Sequence, residues 1–152
     1  MKYLTFIFFI VFTVISVNAQ KTNPNYNAEL AKKVGADDYG MKKFVFVILK
    51  TGTNTSKNNA FKKECFASHM KSIDKLVKAK KLLVAGPMVK NDNNYRGIFI
   101  LAVSSKEKAK ELLGKDKAIS ENFLEAVYYD WYGSAALGEY LNSADKVWKK
   151  SY

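Results

Sequence analysis

The side chain with the clearest capacity for chemistry in this sequence is a single histidine, His69. The histidine side chain has a reference pKa of about 6.5, so it can take up and release a proton near neutral pH. At 100° per residue, His69 falls near the middle of an apolar helical face. That face comprises Phe61, Cys65, Phe66, Met70, Ile73, Leu76 and Val77. An imidazole directed into a packed face needs a polar partner, because an unpaired buried polar group is costly.

A carboxylate is the expected partner, because a carboxylate on the far nitrogen fixes the tautomer and orientation of a catalytic imidazole. The candidates are Asp74, Asp92, Asp116 and Asp130. Asp74 lies five residues after His69 and is predicted on another helix face, and Asp92 lies in a turn. The residues alone leave two interpretations open, a catalytic His–Asp pair and a structural pair that braces helix against sheet.

Other kinds of active site find little support. Cys65 is the only cysteine, which excludes an intramolecular disulfide, and its place on the apolar face favours an inert packed thiol. Ser68 faces away from the histidine, and the sequence has no Gly-x-Ser-x-Gly elbow. The segment 51–53, Thr-Gly-Thr, is too short for a phosphate loop. Asp37 and Asp38 are interpreted as solvated, and we expect neither a metal nor a cofactor.

The positive charge of the chain does not predict a nucleic-acid partner. The formal net charge is +11, but only one of the 25 basic residues is arginine, Arg96. Arginine is the usual bidentate reader of phosphates and guanine edges, whereas scattered lysines mostly increase solubility. Attraction of the lysines to an anionic envelope surface remains open as a further hypothesis.

The elements that must position His69 run in the order strand, helix, strand, strand, helix, strand. Their predicted bounds are 43–50, 59–80, 82–89, 95–103, 106–113 and 124–132. This order is the ferredoxin-like βαββαβ arrangement, an α+β fold whose antiparallel sheet carries both helices on one face.

The strands predict a partner for the other face of that sheet. Residues 44–49 are continuously apolar, so both faces of the first strand must be covered. One layer of helices covers a single face, and we therefore expect a homodimer packed sheet to sheet. Gly97 in the third strand indicates either a strand irregularity or the close approach of a ligand.

Several of these segments resemble a known family. The pattern comprises His69-Met70, Leu76-Val77 and the run Leu-Leu-Val-Ala-Gly-Pro at 82–87, followed by YRGIFIL at 95–101. It is similar to the signature of the YCII-related (YciI-like) family, and the resemblance covers roughly residues 42–137. The resemblance implies a dimeric α+β barrel and lyase or isomerase chemistry.

The resemblance also implies a partner for the histidine. Proteins of this family have an aspartate at the start of the short turn after the second helix, paired with the helix histidine, and this position is Asp116 here. The family usually has proline next, whereas this chain has Lys117. Lysine lacks the fixed backbone angle that starts a helix and places a cation beside the carboxylate.

The two ends of the chain are predicted to lie outside this domain. Residues 1–19 resemble a signal peptide, because Lys2 precedes about fourteen mostly apolar residues and Val-Asn-Ala at 17–19 is a small-residue cleavage signal. A span needs about 20 apolar residues, so we expect export to the periplasm or outside the cell and no stable membrane insertion after cleavage; a retained anchor is the alternative. Residues 20–41 are a polar arm with a short helix at 27–34, and residues 138–152 belong to an extension with a helix at 137–149.

Together these features predict proton transfer by His69 and Asp116 on a small cyclic or aromatic molecule. Gly86, Pro87, Arg96 and Trp131, with the other aromatic residues of the last strand, are expected to shape the ligand pocket. The alternative is a non-catalytic protein that binds a small molecule in the same pocket.

Overall fold

The computed structural model describes residues 23–149, and the predicted signal peptide at 1–19 lies outside them. The helices are α1 (Ala28–Val34), α2 (Asn59–Lys78), α3 (Lys106–Leu113), α4 (Lys117–Ser120) and α5 (Leu141–Ala144), with a 3-10 helix at Ala135–Tyr140. The strands are β1 (Met41–Thr51), β2 (Leu82–Pro87), β3 (Tyr95–Leu101) and β4 (Leu124–Ser134). Between residues 23 and 149, no helix has the length and apolar character needed to cross a bilayer.

The four strands form one antiparallel sheet in the order β2-β3-β1-β4. The predicted ferredoxin-like α+β architecture is therefore confirmed. One face packs against α2, α3 and α4, and this helix side holds the hydrophobic core. Its fully buried members include Val45, Val47, Leu82, Leu101 and Leu113.

The helix that carries the histidine begins at a side-chain cap. The Asn58 side chain accepts a hydrogen bond from the Phe61 N–H, which satisfies one of the free donors at the start of α2. Cys65, His69 and Leu76 are its buried residues. The amphipathic pattern therefore identified the packed face, except that Met70 is 43% exposed. The helix ends two residues before the predicted Lys80, which has a left-handed φ of 53°.

The opposite face of the sheet, the open face, carries no helix from α2, α3 or α4. It consists of Phe46, Ile48, Val84, Ile98, Ile100, Val127 and Tyr129, which alternate with core residues along the strands. Six of them are half-buried and Tyr129 is 47% exposed. The continuous apolar runs therefore reflect strands with large apolar side chains on both faces.

The C-terminal segment covers one end of the open face. The Tyr140 hydroxyl donates a hydrogen bond to the Leu83 carbonyl of β2, and Ala135 is fully buried. The predicted helix at 137–149 is wrong, since a 3-10 helix and a single α-helical turn replace it. Val147 and Trp148 are 82% and 56% exposed, so no buried apolar face holds these residues in a longer helix.

The described part of the N-terminal arm, residues 23–41, contains the short helix predicted there. Asn27 caps α1, and Gly35 ends it with a left-handed φ of 70°. The Asp37 carboxylate accepts hydrogen bonds from the Met41 N–H and the Tyr132 hydroxyl. Asp37 therefore ties the arm to β4, although it was predicted to be merely solvated.

Candidate active site

The histidine lies in the buried centre of α2. His69 is 8% exposed, and its ring lies nearly parallel to the Phe99 ring of β3, with centroids 5.9 Å apart and an angle of 22°. The Phe66 ring meets the imidazole edge-on, 6.3 Å away at 77°. The two aromatic rings restrict the imidazole to one orientation.

Asp116 comes from the loop between α3 and α4 and contacts the histidine. Its Oδ2 lies 2.7 Å from His69 Nδ1, and its Oδ1 accepts a hydrogen bond from the Ala118 N–H at 3.0 Å. One carboxylate therefore caps α4 and holds the imidazole. Asp116 is 2% exposed, so water competes little for this hydrogen bond.

This contact assigns different roles to the two ring nitrogens. When Nδ1–H donates to the Asp116 carboxylate, the proton-free nitrogen of the neutral imidazole is Nε2. Every fully buried side-chain nitrogen or oxygen among residues 23–149 has a hydrogen-bond partner. Nε2 has none within that range, and it is therefore not fully buried. It is accessible from the cavity that His69 lines. A fixed tautomer with a free Nε2 is the arrangement of a general base.

The cavity beside His69 has a volume of about 480 Å³ and lies between α2 and residues of all four strands. Its apolar wall comprises Phe66, Met70 and Ile73 from α2 and Leu49, Phe99 and Leu124 from the sheet. Cavities of a few hundred Å³ with apolar walls and few polar groups are typical of small-molecule sites.

Three of the four residues predicted to contact a ligand line this cavity, namely Gly86, Pro87 and Arg96. A Cβ on Gly97 would lie 2.8 Å from the Gly86 carbonyl oxygen. Glycine at position 97 thus permits the close approach of β2 and β3, while the adjacent shift in strand register accounts for the irregularity that the sequence indicated.

The family model of the YCII-related domain matches residues 44–131, which is more than half of the chain. The chain belongs to the YCII-related domain family. A search of curated proteins finds no match. Among solved structures, it is similar to the 5-chloro-2-hydroxyhydroquinone dehydrochlorinase from Burkholderia phenoliruptrix AC1100 in complex with 2,5-dihydroxybenzoquinone. The sequence identity is 17% and the TM-score 0.41, over 57% of this chain and 92% of that one. The family assignment rests on the domain match.

Trp131 lies away from the cavity of this YCII-related domain. It stands on the sheet face opposite the helices, where its ring packs on Phe44 with centroids 5.5 Å apart. Strand alternation explains the difference, because Leu124 and Tyr128 point to the helix side and residue 131 has the opposite parity. None of the cavity-lining residues is an aromatic residue of β4.

Asp74 lines the cavity although it was predicted to point elsewhere. It follows Met70 by four residues, and residues at that spacing share one stripe of a helix. The placement of Met70 would have revealed that of Asp74. The spacing of Asp74 from His69 alone does not indicate this placement.

Lys117 replaces the proline that the resemblance to the family led us to expect after Asp116. Its ammonium forms an ion pair with Glu64 of α2, and this contact raises the pKa of Lys117. The ion pair joins α4 to the helix that carries His69. Solvent screens exposed ion pairs, so it is a modest second link between the two helices.

The thiol of Cys65 is buried in the packed core and is a poor nucleophile. Cys65 is fully buried, and burial raises the pKa of its thiol, which favours the protonated, poorly nucleophilic form. Within residues 23–149, no three side chains of His, Cys, Asp or Glu are grouped so as to hold a metal ion.

Proposed function

We propose that this protein is an enzyme that moves a proton on a small molecule bound in the cavity. The observation that carries the proposal is the 2.7 Å contact between His69 Nδ1 and Asp116 Oδ2, with Nε2 accessible from a cavity of about 480 Å³. Membership of the YCII-related domain family supports a small-molecule role in general terms.

The proposed chemistry follows from the two ring nitrogens. Nε2 removes a proton from the substrate, and the positive charge that develops on the imidazole is stabilised by the Asp116 carboxylate at Nδ1. Return of the proton to a different atom isomerises the substrate, whereas departure of a leaving group completes an elimination. Both outcomes belong to the isomerase and lyase classes, and both require only the base and a positioned substrate.

The cavity favours a small ring as the substrate. Phe66 and Phe99 provide flat apolar surfaces beside the imidazole, and Ile73 and Leu49 extend the apolar wall. Aromatic surfaces bind planar rings by stacking or edge contacts. A cyclic or aromatic molecule fits this lining better than a highly charged one.

Proton transfer can be tested before the substrate is known. Incubation in D₂O with a panel of small cyclic ketones, lactones and quinols should yield deuterium incorporation, read by NMR, for at least one compound. His69→Gln should abolish this exchange while circular dichroism shows a folded chain. Lys71→Met is the matched control, because Lys71 is exposed on α2 and does not line the cavity.

The result also separates catalysis from binding alone. Exchange that persists at the wild-type rate in His69→Gln contradicts the proposal. Binding of a compound without exchange in the wild type instead supports a binding module, in which the His–Asp contact only braces α4 against α2.

We further propose that two copies pair through the open face of the sheet. Support comes from the apolar side chains that remain half-exposed there in a single chain, including Phe46, Ile48 and Ile100. Exposed apolar surfaces of this kind typically mark interaction sites.

We also propose that the protein is exported to the periplasm or beyond the cell. The composition of residues 1–19 supports this proposal. Mass spectrometry of the native protein should find Gln20 as its first residue, and an intact N-terminus would contradict it.

A further inference from the structure

A bulge in β3 brings the sole arginine of the sequence to the cavity. Leu49 of β1 pairs with Gly97, and the next residue, Lys50, pairs with Tyr95, so Arg96 is the extra residue on β3. Neighbouring residues on a regular strand face opposite sides of the sheet, and a bulge breaks this alternation. Arg96 and Gly97 accordingly line the same cavity.

The guanidinium of Arg96 is available to a ligand. Within residues 23–149, Arg96 takes part in none of the ion pairs and in no side-chain hydrogen bond. Asp74 lines the same cavity but lies beyond ion-pair distance of it. A guanidinium presents five N–H donors in a planar fork that matches the two oxygens of a carboxylate.

No other cationic residue of the described chain lines this cavity. The many lysines therefore give the protein a general positive charge, whereas Arg96 gives the cavity a specific one. Apart from Asp74, the lining combines an apolar wall with one unpaired cation, which favours a ligand that has an apolar body and one anionic group.

We propose that the ligand is a small ring carboxylate, whose carboxylate Arg96 binds while the ring lies against Phe66 and Phe99 beside His69. The inference rests on the proposed function for the role of His69 and adds the substrate class and the residue that recognises it. Arg96 anchors one end of the molecule, so a ring C–H or O–H faces Nε2. The negative charge produced by proton removal spreads over the ring and stays within the field of the guanidinium.

The test compares two probes of the same ring and size, 2-hydroxybenzoate and the neutral 2-hydroxybenzamide, by isothermal titration calorimetry. The carboxylate should bind wild-type protein about tenfold more tightly than the amide, as expected for a charge-assisted hydrogen bond. In untagged protein the single histidine gives one imidazole signal, and both probes should shift it if they bind in the cavity.

Two variants with matched loss of charge assign the preference to one residue. Arg96→Met should reduce the tenfold preference to near unity, and Lys71→Met, which removes an exposed charge from α2, should leave it unchanged. Asp74→Asn should bind the carboxylate more tightly, about twofold, because a like charge is removed from the cavity.

Each outcome bears on the proposal separately from catalysis. Equal affinity for the two probes, a preference that survives in Arg96→Met, or no binding of either probe at millimolar concentration overturns the anion site. A carboxylate preference that persists in His69→Gln together with unchanged deuterium exchange supports the anion site and overturns the base.

Discussion

At the scale of single residues, the site depends on one carboxylate with two structural duties. Asp116 Oδ1 caps α4 through the Ala118 N–H, and Oδ2 holds the imidazole of His69. Because one carboxylate makes both contacts, the position of α4 and the orientation of the imidazole depend on the same residue.

Replacement of Asp116 should separate these duties. Asp116→Ala removes the cap, at about 1 kcal/mol, and leaves a buried ring nitrogen unpaired, at about 1–3 kcal/mol, so we expect about 2–4 kcal/mol of destabilisation. Asp116→Asn retains a cap and a polar partner and should cost less in stability, but it should lose proton transfer because the carboxylate charge is gone. Urea unfolding and the deuterium-exchange assay measure the two effects.

Two outcomes would contradict the expected roles of Asp116. Equal stability of Asp116→Ala and wild type would show that the loop holds its position without the carboxylate. Wild-type exchange in Asp116→Asn would show that the charge of Asp116 plays no part in the chemistry.

For the helices and strands, the sequence predicts those features that depend on the local pattern of apolar and polar residues. Apolar periodicity placed His69 on the packed face of α2, and strand order gave the ferredoxin-like topology. The contact of Asp116 with a residue 47 positions earlier is long-range, and only the resemblance to a family pointed to it. Trp131 was misplaced because composition reveals aromatic character but not which face of a strand is turned to the helices.

The ends of the chain show the same limit. Capping residues marked α1 correctly, but residues 137–149 have helix-forming composition without a buried stripe, and the 3-10 helix that forms depends on contacts with β2. Tertiary contacts determine the structure of this segment, and the local sequence pattern does not indicate them.

The attachment of the arm to β4 should weaken in acid. The Tyr132 hydrogen bond, with further hydrogen bonds from backbone N–H groups, holds the pKa of Asp37 below its usual 3.8. A depressed folded-state pKa stabilises the protein above pH 3.8, and the contribution is lost as pH falls through the lowered value. The difference in melting temperature between wild type and Asp37→Asn should therefore shrink with falling pH across this range.

The neighbouring acid provides the control for this pH dependence. Asp38→Asn removes the same charge, and Asp38 makes no side-chain hydrogen bond within residues 23–149. A melting-temperature difference between wild type and Asp37→Asn that stays constant down to pH 2.5, or one that Asp38→Asn reproduces, would contradict the role of Asp37.

In the complete fold, the two faces of the sheet are covered to different extents. The helix side buries the core and forms the cavity, whereas the open face is covered by its own chain at one end only. The centre of that face, with Ile48 and Ile100 on adjacent strands, is half-exposed in one chain. A second copy that buries this surface would stabilise the association by about 25 cal/mol for each Å² of apolar area removed from water.

A charge at the centre of the open face should therefore prevent pairing. Light scattering should find a dimer for wild type at tens of micromolar. Ile48→Glu should be a folded monomer, because pairing would bury an unpaired carboxylate, and that costs more free energy than the remaining apolar contacts supply. Lys71→Glu introduces an acid on the exposed side of α2 and should remain a dimer. The edge strands β2 and β4 offer a competing mode of association through backbone hydrogen bonds, which would survive Ile48→Glu. A monomeric wild type contradicts the proposed dimer, and a dimeric Ile48→Glu assigns the contact to an edge instead of the open face.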